Sequence, residues 1–140
     1  MPGLQVLEDD TGVLLMKYPD DNPKTVHGVS KPGISNVPPV GMLEVGRVMA
    51  VGAAKYGPMN WRHADVSSSI YYDAAMRHLF QWWDGLEADE ETGISHLAHA
   101  AACLLILLDA KAGGKLKDNR PAYGTAAYHI KAHTKLDRDP

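Results

Sequence analysis

The chain has 140 residues, 45% of them hydrophobic, which suits one domain with a modest core. A net charge of -3 and a pI near 6.1 exclude the basic surface that nucleic-acid binding requires. The lone Cys103 excludes an intramolecular disulfide framework, and no apolar run reaches the roughly 20 residues of a membrane span. The start MPGLQVLEDD lacks a basic stretch followed by an apolar one, so a cytoplasmic location is expected.

Residues 1–40 carry six of the nine prolines and many turn formers, and they read as an extended arm in which only Val13 to Met16 suits a strand. Gly41 to Tyr56 reads as the first helix, ended by Gly57-Pro58. A loop follows with Asn60, Trp61, Arg62 and His63 in succession, and then a Ser triplet, 67 to 69, that can cap the next helix. That second helix runs to about Asp84. Its residues Tyr72, Met76, Leu79, Phe80 and Trp83 recur at helical spacing and are expected to form its core stripe. The turn LEADEETG reads as solvated and acidic, because it lacks calcium-loop spacing. The third helix, rich in Ala and Leu and apolar nearly all round, should be central and buried, with Gly113-Gly114 beyond its end. A short helix from Thr125 to His133 completes the chain.

Polar groups stand where a core does not need them. His96 and His99, three apart in SHLAHA, are neighbours on one helix side and can hold a divalent metal. His78 lies with Tyr71, Ala74 and Trp82, away from the apolar stripe. Asp73 and Arg77 are four apart and can pair with each other, although Arg77 also suits phosphate oxygens. Glu44 sits in an otherwise apolar helix, where a carboxylate needs a cation or a metal. Lys55, Asn60 and Arg62 supply donors, and Trp61 offers a ring face for a base. This set suits an anionic, planar ligand such as a nucleotide.

The blocks PPVGMLEVGRVMAVGAAKYGPMNW, RHLFQWWDG and ETGISHLAHAAACLLIL resemble the phage-associated dATP/dGTP diphosphohydrolase family over roughly residues 31–111. The resemblance implies hydrolysis of purine deoxynucleoside triphosphates to monophosphate and pyrophosphate. Lys55, Tyr56, Asn60, Trp61, Arg62 and Arg77 are expected to bind the substrate, with the cations Lys55, Arg62 and Arg77 on the triphosphate and Asn60 and Trp61 on the base or sugar. The helical pair is similar, more distantly, to the MazG-type all-α nucleotide pyrophosphatases. The carboxylate pairs of those enzymes are replaced here by Arg77-His78 and His96-Leu97-Ala98-His99, so their magnesium cage does not carry over. Imidazole ligands favour Mn, Co, Ni or Zn over Mg.

Together these readings give an expected all-α fold with an arm over 1–40, a helical catalytic core over 41–112 and a tail over 113–140. Three main helices and a short C-terminal one barely enclose a core, so a dimer or tetramer is expected to complete the bundle. His96 and His99, helped by His78, Asp73 or Glu44, are expected to hold the metal and carry catalysis. The alternative is a nucleotide- or metal-binding accessory protein without turnover. A histidine-aspartate metal enzyme is disfavoured because no His-Asp dipeptide occurs.

Overall fold

The computed structural model describes residues 5–8, 10–12, 14–17 and 22–134, in two compact units, Met1–Glu44 and Val45–Pro140. In the first, β1 (Gln5–Glu8) pairs antiparallel with β2 (Leu14–Lys17), Gln5 facing Lys17, and a short helix α1 (Pro23–Gly28) follows. The Asn22 side chain caps α1 by accepting from the Lys24 amide at 2.9 Å. A hairpin thus stands where a single strand was expected. Val13, the first residue of that expected strand, lies outside the described residues.

Helix α2 (Pro39–Tyr56) begins two residues before the expected start, with the second proline of Pro38-Pro39 inside its first turn, where no amide partner is needed. In the second unit α3 (Ser68–Trp83) packs on α4 (His96–Ala112), joined by the turn 84–95, and α5 (Ala126–His133) lies near the C-terminus. Two residues of β3 (Val66–Ser67) pair parallel with β4 (Leu116–Lys117). The all-α class therefore holds, and the strands are minor additions. Among the described residues no helix is long and apolar enough to cross a membrane.

The start of α3 is capped from a distance. Ser67 occupies the N-cap position, but its side chain makes no capping bond. The Ser69 amide instead donates to Asn119 Oδ1 at 2.9 Å, and Asn119 Nδ2 donates to Ser69 Oγ at 2.7 Å. Ser68 is buried and donates to the Lys117 carbonyl at 3.1 Å. The segment after α4 is thereby tied to the head of α3.

Two expectations about the core are corrected. The buried apolar residues of the helical pair are small: Ala75 on α3, and Ala98, Ala100, Ala102 and Ala110 on α4. Alanines let two helices approach closely. Of the expected stripe, Tyr72, Phe80 and Trp83 are outside, with Trp83 81% exposed, while Met76 and Leu79 are half-buried. Helix α4 is not buried all round either, since Leu97, Leu104, Leu105 and Leu108 are exposed. Helix α3 turns the side bearing Tyr71, Ala75, His78 and Trp82 inward instead.

Candidate metal centre and adjoining cavity

Because α3 presents that side to α4, His78 meets the histidines of SHLAHA. Its ring stacks on His99 with centroids 4.5 Å apart and planes 12° apart. His78 Nδ1 lies 2.9 Å from His96 Nδ1. His96 is 1% exposed, so its only escape from an unpaired buried nitrogen is this contact. Two facing ring nitrogens at that distance require one proton between them, donated by one ring and accepted by the other. Burial first, and then the neighbouring His99 and His96, lower the pKa of His78. Burial lowers that of His99 as well, against the opposing pull of Asp89. Both imidazoles are therefore neutral at pH 7, the form in which histidine binds metals.

The turn 84–95 supplies the carboxylate. Asp89 Oδ1 accepts from the amides of Glu91 (3.1 Å) and Thr92 (3.0 Å), a local turn stabilised by its own side chain. The Asp89 amide donates to the Ile94 carbonyl and the Gly93 amide to the Asp89 carbonyl, which closes the turn. Gly93 has φ +70°, a conformation glycine adopts without penalty. Burial raises the Asp89 pKa, but the Thr92 amide, His99 and the remaining hydrogen bonds outweigh it and hold the carboxyl below its ordinary value. Ser95 then caps α4, accepting from the Leu97 amide at 3.1 Å, and the His96 amide donates to the Glu87 carbonyl.

Ligand atoms of His78, Asp89 and His96, one from each, fall within 4.8 Å of one another. The two Nδ1 atoms, 2.9 Å apart, are near enough for one small ion to be held by both rings. Imidazole and carboxylate together suit Mn, Co, Ni or Zn, and accommodate Mg less well. His99 takes a different position. Its Nε2 is 2.7 Å from Thr92 Oγ1, which in turn lies 3.3 Å from Asp89 Oδ1.

The other residues expected from the sequence distribute as follows. Lys55, at the end of α2, is ion-paired with Glu91 of the same turn. Hydrogen bonding and charge from Glu91 raise its pKa. Tyr56, Asn60 and Trp61 line a cavity of about 400 Å3 whose wall includes His99. Trp61 Nε1 donates to Asp109 at 2.7 Å, and Arg62 makes a two-pronged contact with the same carboxylate at 2.9 and 3.1 Å. That pairing holds Asp109 below its ordinary pKa and occupies the Arg62 guanidinium. Arg77 is exposed beside His78, whose pKa it helps to lower. Asp73 is exposed five residues before His78, about 140° around the helix, and so faces elsewhere. Glu44 is half-buried within the first unit. Sequence reasoning missed Asp89 and Thr92. Their signal was Asp-x-x-Thr-Gly, a turn signature lost among neighbouring acids.

These features define an all-α protein with a histidine-carboxylate cluster, suited to a divalent ion, at the edge of a mostly apolar cavity. A family model described as dATP/dGTP diphosphohydrolase, N-terminal, matches residues 21–120, and the chain belongs to that family. It is 35% identical over 91 residues to a dATP/dGTP diphosphohydrolase of Salmonella phage PMBT28. That match spans 65% of this chain and 29% of the phage protein. No solved structure matches the chain.

Proposed function

We propose that this chain hydrolyses purine deoxynucleoside triphosphates, dATP and dGTP, to the monophosphate and pyrophosphate, with a divalent metal held by His78, Asp89 and His96. The observation that carries the reading is the convergence of two imidazoles and a carboxylate in a member of a family bearing this activity in its name. An ion held there supplies Lewis-acid polarisation of a phosphoryl oxygen. His99 is the general base. It is neutral at pH 7, and with Nε2 engaged by Thr92 its Nδ1 takes the proton of a water attacking the α-phosphorus. The bond from that phosphorus to the bridging oxygen breaks, and pyrophosphate leaves with the electron pair. Lys55 exchanges Glu91 for the phosphate oxygens, and Arg77 adds a second cation. Arg62 acts at one remove by fixing Trp61 through Asp109. Asp73 has no part in this reading because it faces away, and Glu44 is left outside the ligand set.

The same reading includes a homo-oligomer, dimer or tetramer. Leu97, Ala101, Leu104 and Leu108 repeat at 4-3-4 spacing along α4, and the three leucines are exposed. Such a seam suits knobs-into-holes packing against another copy. The decisive experiment resolves the products of each dNTP with Mn or Mg, using the parent chain, His96→Ala and Asp89→Asn. Loss of hydrolysis in folded variants supports the site. Folded variants with full activity remove it, and metal binding without turnover by the parent points to an accessory protein.

A further inference from the structure

The cavity beside the cluster has a wall composition that bears on how a base is chosen. It runs between α2, the 3-10 turn Asn60–Arg62, α3 and α4, and its volume lies within the range of about 300–1,000 Å3 typical of small-molecule pockets. Most of the wall is aliphatic or aromatic, including Met49, Ile106 and the faces of Tyr71 and Trp61. Trp61 offers only its ring, because its N–H is already given to Asp109. Burial raises the Tyr71 pKa, so its phenol stays protonated. Asn60 also lines the cavity, and its side-chain amide makes no hydrogen bond among the described residues. At Gly52 the wall is bare, and an added Cβ would meet no atom within 4 Å.

Adenine and guanine present opposite groups at positions 1 and 6. A site that tells them apart needs directed donors and acceptors fixed in place, and these reject the wrong base by about 10,000-fold or more. An asparagine amide can rotate to offer either its oxygen or its NH2 group, and so satisfies both. Stacking walls, by contrast, respond to ring area and are tolerant of base identity. A pyrimidine leaves part of such a cavity unfilled and forfeits those contacts.

Resting on the function proposed above, we infer that this cavity takes the nucleobase and selects purines by ring size and stacking, with Asn60 as an invertible reader that does not separate adenine from guanine. His99 lines the cavity and stacks on His78 of the cluster, so a base seated there leaves the triphosphate directed at the metal ligands.

The test compares kcat/KM of the 140-residue chain for dATP, dGTP, dITP and the 2,6-diaminopurine analogue with that for dCTP and dTTP. The four purines should agree within about 10-fold, and the pyrimidines should fall about 10- to 200-fold below them, the range a size-selective apolar pocket gives. A spread above 100-fold among the purines overturns the inference. Gly52→Leu, which favours the helix while filling the cavity, should erase the purine preference, and an unchanged preference counts against the site. A second arm needs no turnover. Deoxyadenosine, deoxyguanosine and thymidine, without phosphate or metal, are followed by saturation-transfer NMR. Both purine nucleosides binding better than thymidine, with no dNTP hydrolysis, would uphold the base site and sink the enzymatic reading. Hydrolysis with no such binding order would do the reverse.

Discussion

Thr92→Val is the most informative single change at the cluster. A hydroxyl has one proton and two lone pairs, and Thr92 Oγ1 has three partners. The Ile94 amide donates to it at 3.2 Å, His99 Nε2 stands at 2.7 Å and Asp89 Oδ1 at 3.3 Å. All three are satisfied only if His99 donates its Nε2–H and the hydroxyl donates to Asp89. That tautomer leaves His99 Nδ1 bare for proton transfer. Valine keeps the shape but removes the oxygen. Asp89 loses one of its three hydrogen bonds, and the Ile94 and His99 N–H groups lose their acceptor. Groups that position metal ligands in this way are worth about 10- to 100-fold in metal affinity, or about 1.4–2.7 kcal/mol. Calorimetric titration with Mn should read that loss, with kcat falling further because the His99 tautomer is released. Thr92→Ser should restore most of both. Nitrogen-15 NMR of the ring should show Nε2 protonated in the parent and a mixture in the valine variant. A valine variant with parental affinity, rate and tautomer would refute the relay.

Asp109→Ala frees Trp61 and Arg62 together. It should raise KM with little change in kcat and lower Tm by roughly 2–4 °C, the worth of the part-buried Trp61 bond, because exposed ion pairs add little. The metal-free chain should lose stability on acidification. His78 and His99 have lowered folded-state pKa values, so below the ordinary imidazole value of about 6.5 the unfolded state binds more protons. Tm is then flat above about pH 7 and falls below it, and a Tm that rises on acidification would contradict the neutral pair. Leu104→Lys places a charge in the exposed leucine seam and should shift sedimentation from oligomer to monomer while the circular dichroism spectrum is retained.

Helix existence was legible in the sequence because it depends on local patterning. The end of α4 follows from Gly113-Gly114, and α5 begins one residue from its expected start. Which side of each helix turns inward was not legible, because apolar periodicity marks a face that wants burial without saying what covers it. On α3 the bulky stripe was expected inside, yet the alanine-lined side with His78 is the one that fits α4. Asp89 failed for a different reason. Among several acidic residues in one turn, composition singles out none, and only the hydrogen bonds to Glu91 and Thr92 show which carboxylate is held in place.

The small residues between α3 and α4 and the chemistry of the cluster are two aspects of one choice. Large apolar side chains at this contact would bury more surface, but they would hold the helices apart and separate His78 from His96. The buried residues Ala75, Ala98 and Ala102 are small, and His78 and His96 touch. The contact is stable only while the two Nδ1 atoms share a single proton. A second proton adds charge repulsion in a buried place, and none leaves two lone pairs facing each other. A divalent cation held there would satisfy both nitrogens in place of the shared proton, and Asp89 in the adjoining turn would offset its charge. Packing area surrendered inside reappears as the uncovered leucines and aromatics outside.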